Sequence, residues 1–190
     1  MDFTSYLVVV LNFAMIGALP AVTFRGGRLT AAWWATASPL ILAVATVIAA
    51  WVGVFSVDQT TLVVPREVLV TVSALASATL MAYTAGSHRI PLSLWHQHED
   101  APVEIVTWGP YRVVRHPFYV SFLLTLVAAL ALVPSWPTVL TLIGGVVALQ
   151  VTAAREERRL MSSELGEQYT SYRDRTGRFV PRLSARGSAS

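Results

Sequence analysis

The 190-residue chain contains no cysteine and no lysine; all fourteen basic residues are arginine. Without cysteine there is no disulfide, no thiolate zinc site and no thiol nucleophile. The arginine-only usage reads as genomic composition bias, of the kind found in GC-rich bacteria, rather than as function. Charge of either sign is scarce. Asp, Glu, Lys and Arg make up 13% of the chain, against about 25% in soluble globular domains. The four histidines, His88, His96, His98 and His116, lack His-Glu-x-x-His spacing, so no metal site is expected. What fills the chain is apolar: 54% hydrophobic residues and a mean hydropathy of +0.56. That excludes a disordered protein and argues against a water-soluble domain, leaving a polytopic membrane protein. A pI near 9.7 with a net charge of only +3 calls for a membrane explanation, and no nucleic-acid partner is expected.

A helix crosses the bilayer core with about 20 mostly apolar residues. Five such runs stand out: Tyr6 to Phe24, Trp33 to Phe55, Val68 to Gly86, Phe118 to Val133, and Thr138 to Ala154. The first is interrupted by Asn12 and closed by Arg25 and Arg28, too long and too charged at its end for a signal peptide. Trp33 and Trp34 suit an interfacial anchor. The turn Pro134-Ser135-Trp136-Pro137 is short enough to make the last two runs an antiparallel hairpin. With five spans, thirteen arginines fall on one side and only Arg66 on the other. The positive-inside rule then places the N-terminus outside and the C-terminus inside. The expected fold is an all-α polytopic membrane bundle of about five transmembrane helices, with a cytosolic loop and a C-terminal amphipathic helix. It forms one domain: three helices in 1–86, a catalytic part in 87–182, and a disordered end over 183–190.

The polar residues gather in three places. The connection from His88 to Tyr119 is far longer than usual between helices. It ends in Trp108-Gly109-Pro110-Tyr111-Arg112-Val113-Val114-Arg115-His116-Pro117-Phe118-Tyr119. Gly109-Pro110 predicts a turn, and Pro117 suits the first turn of the fourth helix. Free N–H groups there, beside Arg115 and His116, would receive an anion; the plainer reading is a basic anchor with an aromatic belt. The second place is Arg155-Glu156-Glu157-Arg158-Arg159, expected at the end of the fifth helix, where paired carboxylates would receive a cation or form a solvated face. Gln150, two turns before Glu157, would lie on the same stripe or bond a neighbouring helix. The third is the tail, where Leu160, Leu165, Tyr169 and Tyr172 recur at helical spacing and predict an interfacial amphipathic helix. Its arginines Arg173, Arg175, Arg178 and Arg182 would hold anionic lipid. An anion site and a carboxylate pair at adjoining helix ends would suit a zwitterion that also carries a cation, such as S-adenosylmethionine.

Gly109-Pro110-Tyr111-Arg112-x-x-Arg115-His116-Pro117-x-Tyr119, followed by Glu156-Glu157-x-x-Leu160 and by Gly166-x-x-Tyr169-x-x-Tyr172, resembles the isoprenylcysteine carboxyl methyltransferase family. The related phospholipid N-methyltransferases share the pattern, and the closing Arg178-Phe179-Val180-Pro181-Arg182 matches the family's usual ending. The likeness covers about residues 103 to 182. It implies an integral membrane methyltransferase that uses S-adenosylmethionine, held in a cytosolic pocket between the two motif segments. A lipophilic substrate then enters laterally from the bilayer. Carried over, the cofactor residues are Gly109, Pro110, Tyr111, Arg115, His116, Pro117, Tyr119, Glu156 and Glu157. Arg115, Glu157 and Arg173 are the catalytic candidates. The family often has a His shortly before its Gly-Pro-Tyr. Here that stretch reads Val103-Glu104-Ile105-Val106-Thr107, and His96 and His98 stand further upstream.

Displacement at a sulfonium methyl asks the protein mainly for proximity and orientation. A carboxylate acceptor is already ionised at neutral pH and needs no base; a phenol or amine would draw on Glu157 or His116. No dedicated base stands out, which favours a carboxylate. The expected partners are a lipophilic small molecule or prenylated substrate and membrane lipids, at a bacterial cytoplasmic membrane with the active site on the cytoplasmic side. Two other readings are a steroid reductase-like enzyme using a nicotinamide cofactor and a non-enzymatic lipid-binding protein. The paired glutamates would repel the nicotinamide cofactor's phosphates, and the dense motif over 109–119 argues against a passive scaffold.

Overall fold

A computed structural model describes residues 3–23, 30–57, 63–87 and 104–182. The expectations for Arg25, Arg28, His88, His96, His98 and the 183–190 end lie outside these residues. Six α-helices follow in order: α1 (Phe3–Thr23), α2 (Ala31–Trp51), α3 (Val63–Ser87), α4 (Pro117–Leu132), α5 (Trp136–Met161) and α6 (Gly166–Arg175). A 3₁₀ turn at Gly109–Arg112 precedes α4. No strand occurs among the described residues; Val114 and Gly177 form an isolated parallel bridge.

Each expected apolar run has a helix. α2, α3 and α5 are long and apolar enough to cross a membrane, whereas α4 and the Phe3–Leu19 stretch of α1 are shorter apolar helices. At 16 residues, α4 spans about 24 Å, short of a hydrocarbon core of about 30 Å. It is the central helix, packed against α1, α2, α3 and α5. The outward faces of α2, α3 and α5 carry Leu42, Val72 and Ile143, all more than half exposed, as a bundle bathed in hydrocarbon requires.

Local chemistry explains the packing. Thr30 caps α2, its hydroxyl accepting from the Trp33 N–H at 3.4 Å. Ser135 and Thr138 form a reciprocal cap on α5, so only Val133 to Ser135 separate α4 from α5 and the two pack as an antiparallel hairpin. Gly144 and Gly145 let α5 approach its neighbours: a Cβ at Gly144 would lie 3.8 Å from Pro39 of α2, and one at Gly145 would strike Leu126 of α4. Hydroxyl pairs cross the α2–α5 and α3–α4 interfaces. Thr36 meets Thr152 at 2.8 Å, and Ser77 meets Thr125 at 2.8 Å. In an apolar surrounding such bonds fix helix register.

The ends of the bundle differ. Arg66 at the start of α3 reaches the carbonyl of Leu132 at the end of α4. At the opposite end lie the 3₁₀ turn, the start of α4, the end of α5 and α6. Every arginine other than Arg66 among the described residues lies in those elements or the tail beside them.

α5 continues to Met161, past the Ala154 where the apolar run stops, so Arg155 to Arg159 lie at its end as expected. Charged residues end hydrophobicity but not helicity, because Arg and Glu are good helix formers. One expectation is corrected. α6 does not save its apolar edge for a membrane surface: Tyr169 and Tyr172 are buried against Ile105, with Leu160, Met161 and Leu165 around them.

Candidate functional site

The polar groups converge where α4 begins, α5 ends and the tail returns. Trp108 donates from its indole to the Ser87 carbonyl at 2.7 Å, docking the segment on the end of α3. Gly109 follows at φ +59°, where a Cβ would lie 2.8 Å from that of Ser87. Only glycine tolerates both that conformation and that approach. The 3₁₀ turn then leads to His116, which stands as N-cap of α4 before Pro117, as expected at the first turn.

The tail closes on this segment. The Arg115 N–H donates to the Gly177 carbonyl at 2.8 Å, and the His116 N–H to the Arg178 carbonyl at 3.2 Å. Gly177 has no room for a side chain, since a Cβ would collide with the Val180 carbonyl oxygen. The Tyr172 hydroxyl donates to the Tyr111 carbonyl at 2.7 Å. Phe179 sets its edge against His116 and Tyr119, with ring centroids 5.9 and 6.4 Å apart, while those two rings stack at 5.2 Å.

Glu156 and Glu157 follow one another on α5, so their side chains leave the helix about 100° apart and meet different partners. Glu156 accepts a 2.6 Å hydrogen bond from the Tyr119 hydroxyl. The side chain of Glu157, only 4% exposed, is held by three groups. Arg115 Nε donates to its Oε1 at 3.0 Å, and His116 Nε2 lies 3.2 Å from the same oxygen. Arg178 grips both oxygens, Nε to Oε1 at 3.1 Å and Nη2 to Oε2 at 2.6 Å. A third nitrogen of Arg178 donates to Gln150 Oε1 at 3.1 Å, so the expected stripe from Gln150 to Glu157 exists, bridged by arginine.

His116 sits between the carboxylates, its Nδ1 3.5 Å from Glu156. Burial lowers its pKa below the ordinary value of 6.5, against the pull of its hydrogen bond to Glu157. The imidazole is therefore neutral at pH 7 and hydrogen-bonds Glu157 without an ion pair. Burial likewise pushes the phenols of Tyr111, Tyr169 and Tyr172 up, keeping them protonated donors.

The expected residues thus divide. Tyr111, Arg115, His116, Tyr119, Glu156 and Glu157 gather around one junction, while Gly109, Pro110 and Pro117 shape the backbone that brings them there. Arg115 and Glu157, expected to hold opposite ends of one ligand, are in direct contact with each other. Arg115 is further tied by Nη1 to the carbonyls of Arg173 and Thr176. Arg173 contributes that carbonyl, but its guanidinium turns to the Met161 sulfur at 2.9 Å. The tail's charged contribution comes from Arg178, which sequence reasoning assigned to lipid; its place in the closing Arg178-Phe179-Val180-Pro181-Arg182 motif was the available signal.

The family model for phospholipid methyltransferases matches residues 67–168, more than half of the chain. The chain belongs to the phospholipid methyltransferase family. As a member it is a membrane methyltransferase, and methyl transfer takes the place of the reductase and scaffold alternatives. The matched stretch runs from the first turn of α3 into α6 and contains both motif segments, but stops short of the returning tail and Arg178. No curated protein and no solved structure matches the chain.

Proposed function

We propose that this methyltransferase takes its methyl group from S-adenosylmethionine and transfers it to an oxygen, a carboxylate oxygen in the first instance, of a lipophilic or prenylated acceptor. The observation that carries this reading is the junction of α4, α5 and the tail, where two carboxylates and two arginines meet stacked aromatic rings. Its groups fit the cofactor by chemical type. Glu156 is held by the Tyr119 hydroxyl beside the stacked Tyr119 and His116 rings, and burial pushes its carboxyl up to about 8, so a sulfonium bound beside it would draw it into the ionised form. Bound there, S-adenosylmethionine supplies an activated methyl group and a neutral thioether as leaving group.

The chain's own residues orient and exclude water. Tyr119 fixes one carboxylate by hydrogen bonding, and Arg115 with His116 fixes the other. Phe179 and the tail cover the aromatic pair. Glu157 is engaged by three donors and is a poor proton acceptor, which agrees with an acceptor that arrives ionised. The neutral imidazole of His116 favours a second reading, a phenol or amine acceptor with His116 as base. His116→Asn separates them: loss of a base costs about 10²- to 10⁴-fold in kcat, whereas a carboxylate acceptor would retain rates near the parent's.

The same reading places five spans in a bacterial cytoplasmic membrane with the arginine-rich end inside. The acceptor reaches the junction from the bilayer. Isothermal titration of S-adenosylmethionine into detergent-purified protein tests the proposal. Binding that weakens about tenfold or more in Glu156→Gln is expected, by loss of a partly desolvated charge contact. Absence of binding by folded parent protein would overturn it.

A further inference from the structure

The geometry points to Arg178, steadied by Gln150, as the group that receives the anionic headgroup of the lipophilic acceptor, a carboxylate or a phosphate; the assignment rests on the methyltransferase reading above.

The argument begins with how differently the two arginines of Glu157 are held. Arg115 is 10% exposed and is anchored by the carbonyls of Arg173 and Thr176 as well as by Glu157. It has no freedom to turn toward a ligand without breaking the tail's attachment. The side chain of Arg178 is 34% exposed. Its backbone is pinned by the bond from the His116 N–H, but its guanidinium bonds, among the described residues, to the side chains of Glu157 and Gln150. Gln150 lies on the exposed face of α5, two turns from Glu157 toward the middle of the bundle. The guanidinium therefore straddles the rim, one edge on the buried cluster and the other on the surface that faces lipid.

Exchange of partners costs less at this arginine than at Arg115. If an incoming anion draws Arg178 away, Glu157 keeps Arg115 at 3.0 Å and His116 at 3.2 Å, so no buried carboxylate is stranded. Drawing Arg115 away would also break its bonds to the Arg173 and Thr176 carbonyls and leave those acceptors unpaired, a cost that Arg178 does not carry. Arg178 presents the planar fork that matches carboxylate and phosphate alike. An amphiphile with its chain along α5 would bring its headgroup to this level. Phe179, the next residue, packs on His116 and Tyr119, so a headgroup at Arg178 lies beside the aromatic pair to which the cofactor is assigned.

The test uses full-length protein in a neutral maltoside detergent, with binding of dodecanoate, dodecyl phosphate and dodecanol followed by thermal shift and titration. Parent protein is expected to prefer at least one anionic amphiphile over dodecanol by about tenfold, as a partly desolvated charge contact implies. Arg178→Gln should erase that preference and Arg178→Lys restore part of it. Gln150→Leu should weaken it less. Preference for dodecanoate alone, for dodecyl phosphate alone, or for both supports the assignment and names the headgroup. Equal binding of acetate or inorganic phosphate would overturn the lipid-borne part. Absence of preference in the parent, or its persistence in Arg178→Gln, would overturn the whole. S-adenosylmethionine titrated into the same proteins separates the two readings: failure of the parent to bind it sinks the methyl-donor assignment and leaves the headgroup result standing.

Discussion

Arg115 and Glu157, 42 positions apart in the chain, join the loop before α4 to the last turns of α5 through a 3.0 Å ion pair almost closed to solvent. Each motif of the family likeness thus contributes one half of a single electrostatic unit.

The pair should behave as a unit in mutagenesis. Glu157→Gln leaves Arg115 buried without its counter-charge, and breaking such a pair costs about 3–5 kcal/mol of stability. The double variant Arg115→Met, Glu157→Met should lose less than the sum of the single losses. Denaturation midpoints of the four proteins in one detergent measure the coupling. Additive losses would show that the two side chains do not depend on each other.

His116 sets a pH dependence. Its folded pKa lies below the ordinary 6.5 because of burial, so below that pH the unfolded chain binds a proton that the folded chain resists. The stability associated with the neutral imidazole is complete above pH 6.5 and is lost as pH falls from 6.5 toward the folded value. Thermal midpoints between pH 7.5 and 5 should fall more steeply for the parent than for His116→Asn. Parallel curves would contradict this.

Gly177→Ala should detach the tail while sparing the bundle. The added Cβ meets the backbone oxygen of Val180, which cannot swing aside as a side chain would, and overpacking of this kind costs about 1–3 kcal/mol. Helical content by circular dichroism should persist while S-adenosylmethionine affinity drops. Unchanged affinity would mean that the tail is not part of the binding unit.

Orientation follows from the arginines. A phosphatase or fluorescent reporter fused after residue 190 should report the cytoplasmic side, because among the described residues only Arg66 stands at the far end of the bundle. A C-terminal reporter active only outside would invert the proposed topology.

The helices were legible because an apolar run of membrane length has few other fates, and Pro117 marks where α4 starts. The start of α5 was not legible, since Trp136 and Pro137 read as part of the turn although proline is accommodated in a helix's first turn. Within the site, residue types and spacing pointed to the correct end of the bundle. Partner choice was hidden. That Glu156 meets Tyr119 and Glu157 meets three donors depends on the angle at which α4 crosses α5. Nor does spacing tell Arg178 from Arg173, which differ only in which way the tail turns after Thr176.

That turn makes the tail a gauge of the junction. Trypsin cleaves after arginine where the backbone can open into its cleft, and the tail offers Arg173, Arg175 and Arg178 within six residues. Yet the carbonyls of Arg173, Thr176, Gly177 and Arg178 are all engaged by Arg115 and His116. Cutting there requires local unfolding. Resistance to proteolysis between Arg173 and Arg178 therefore reads directly whether the two halves of the site are joined, with no substrate needed.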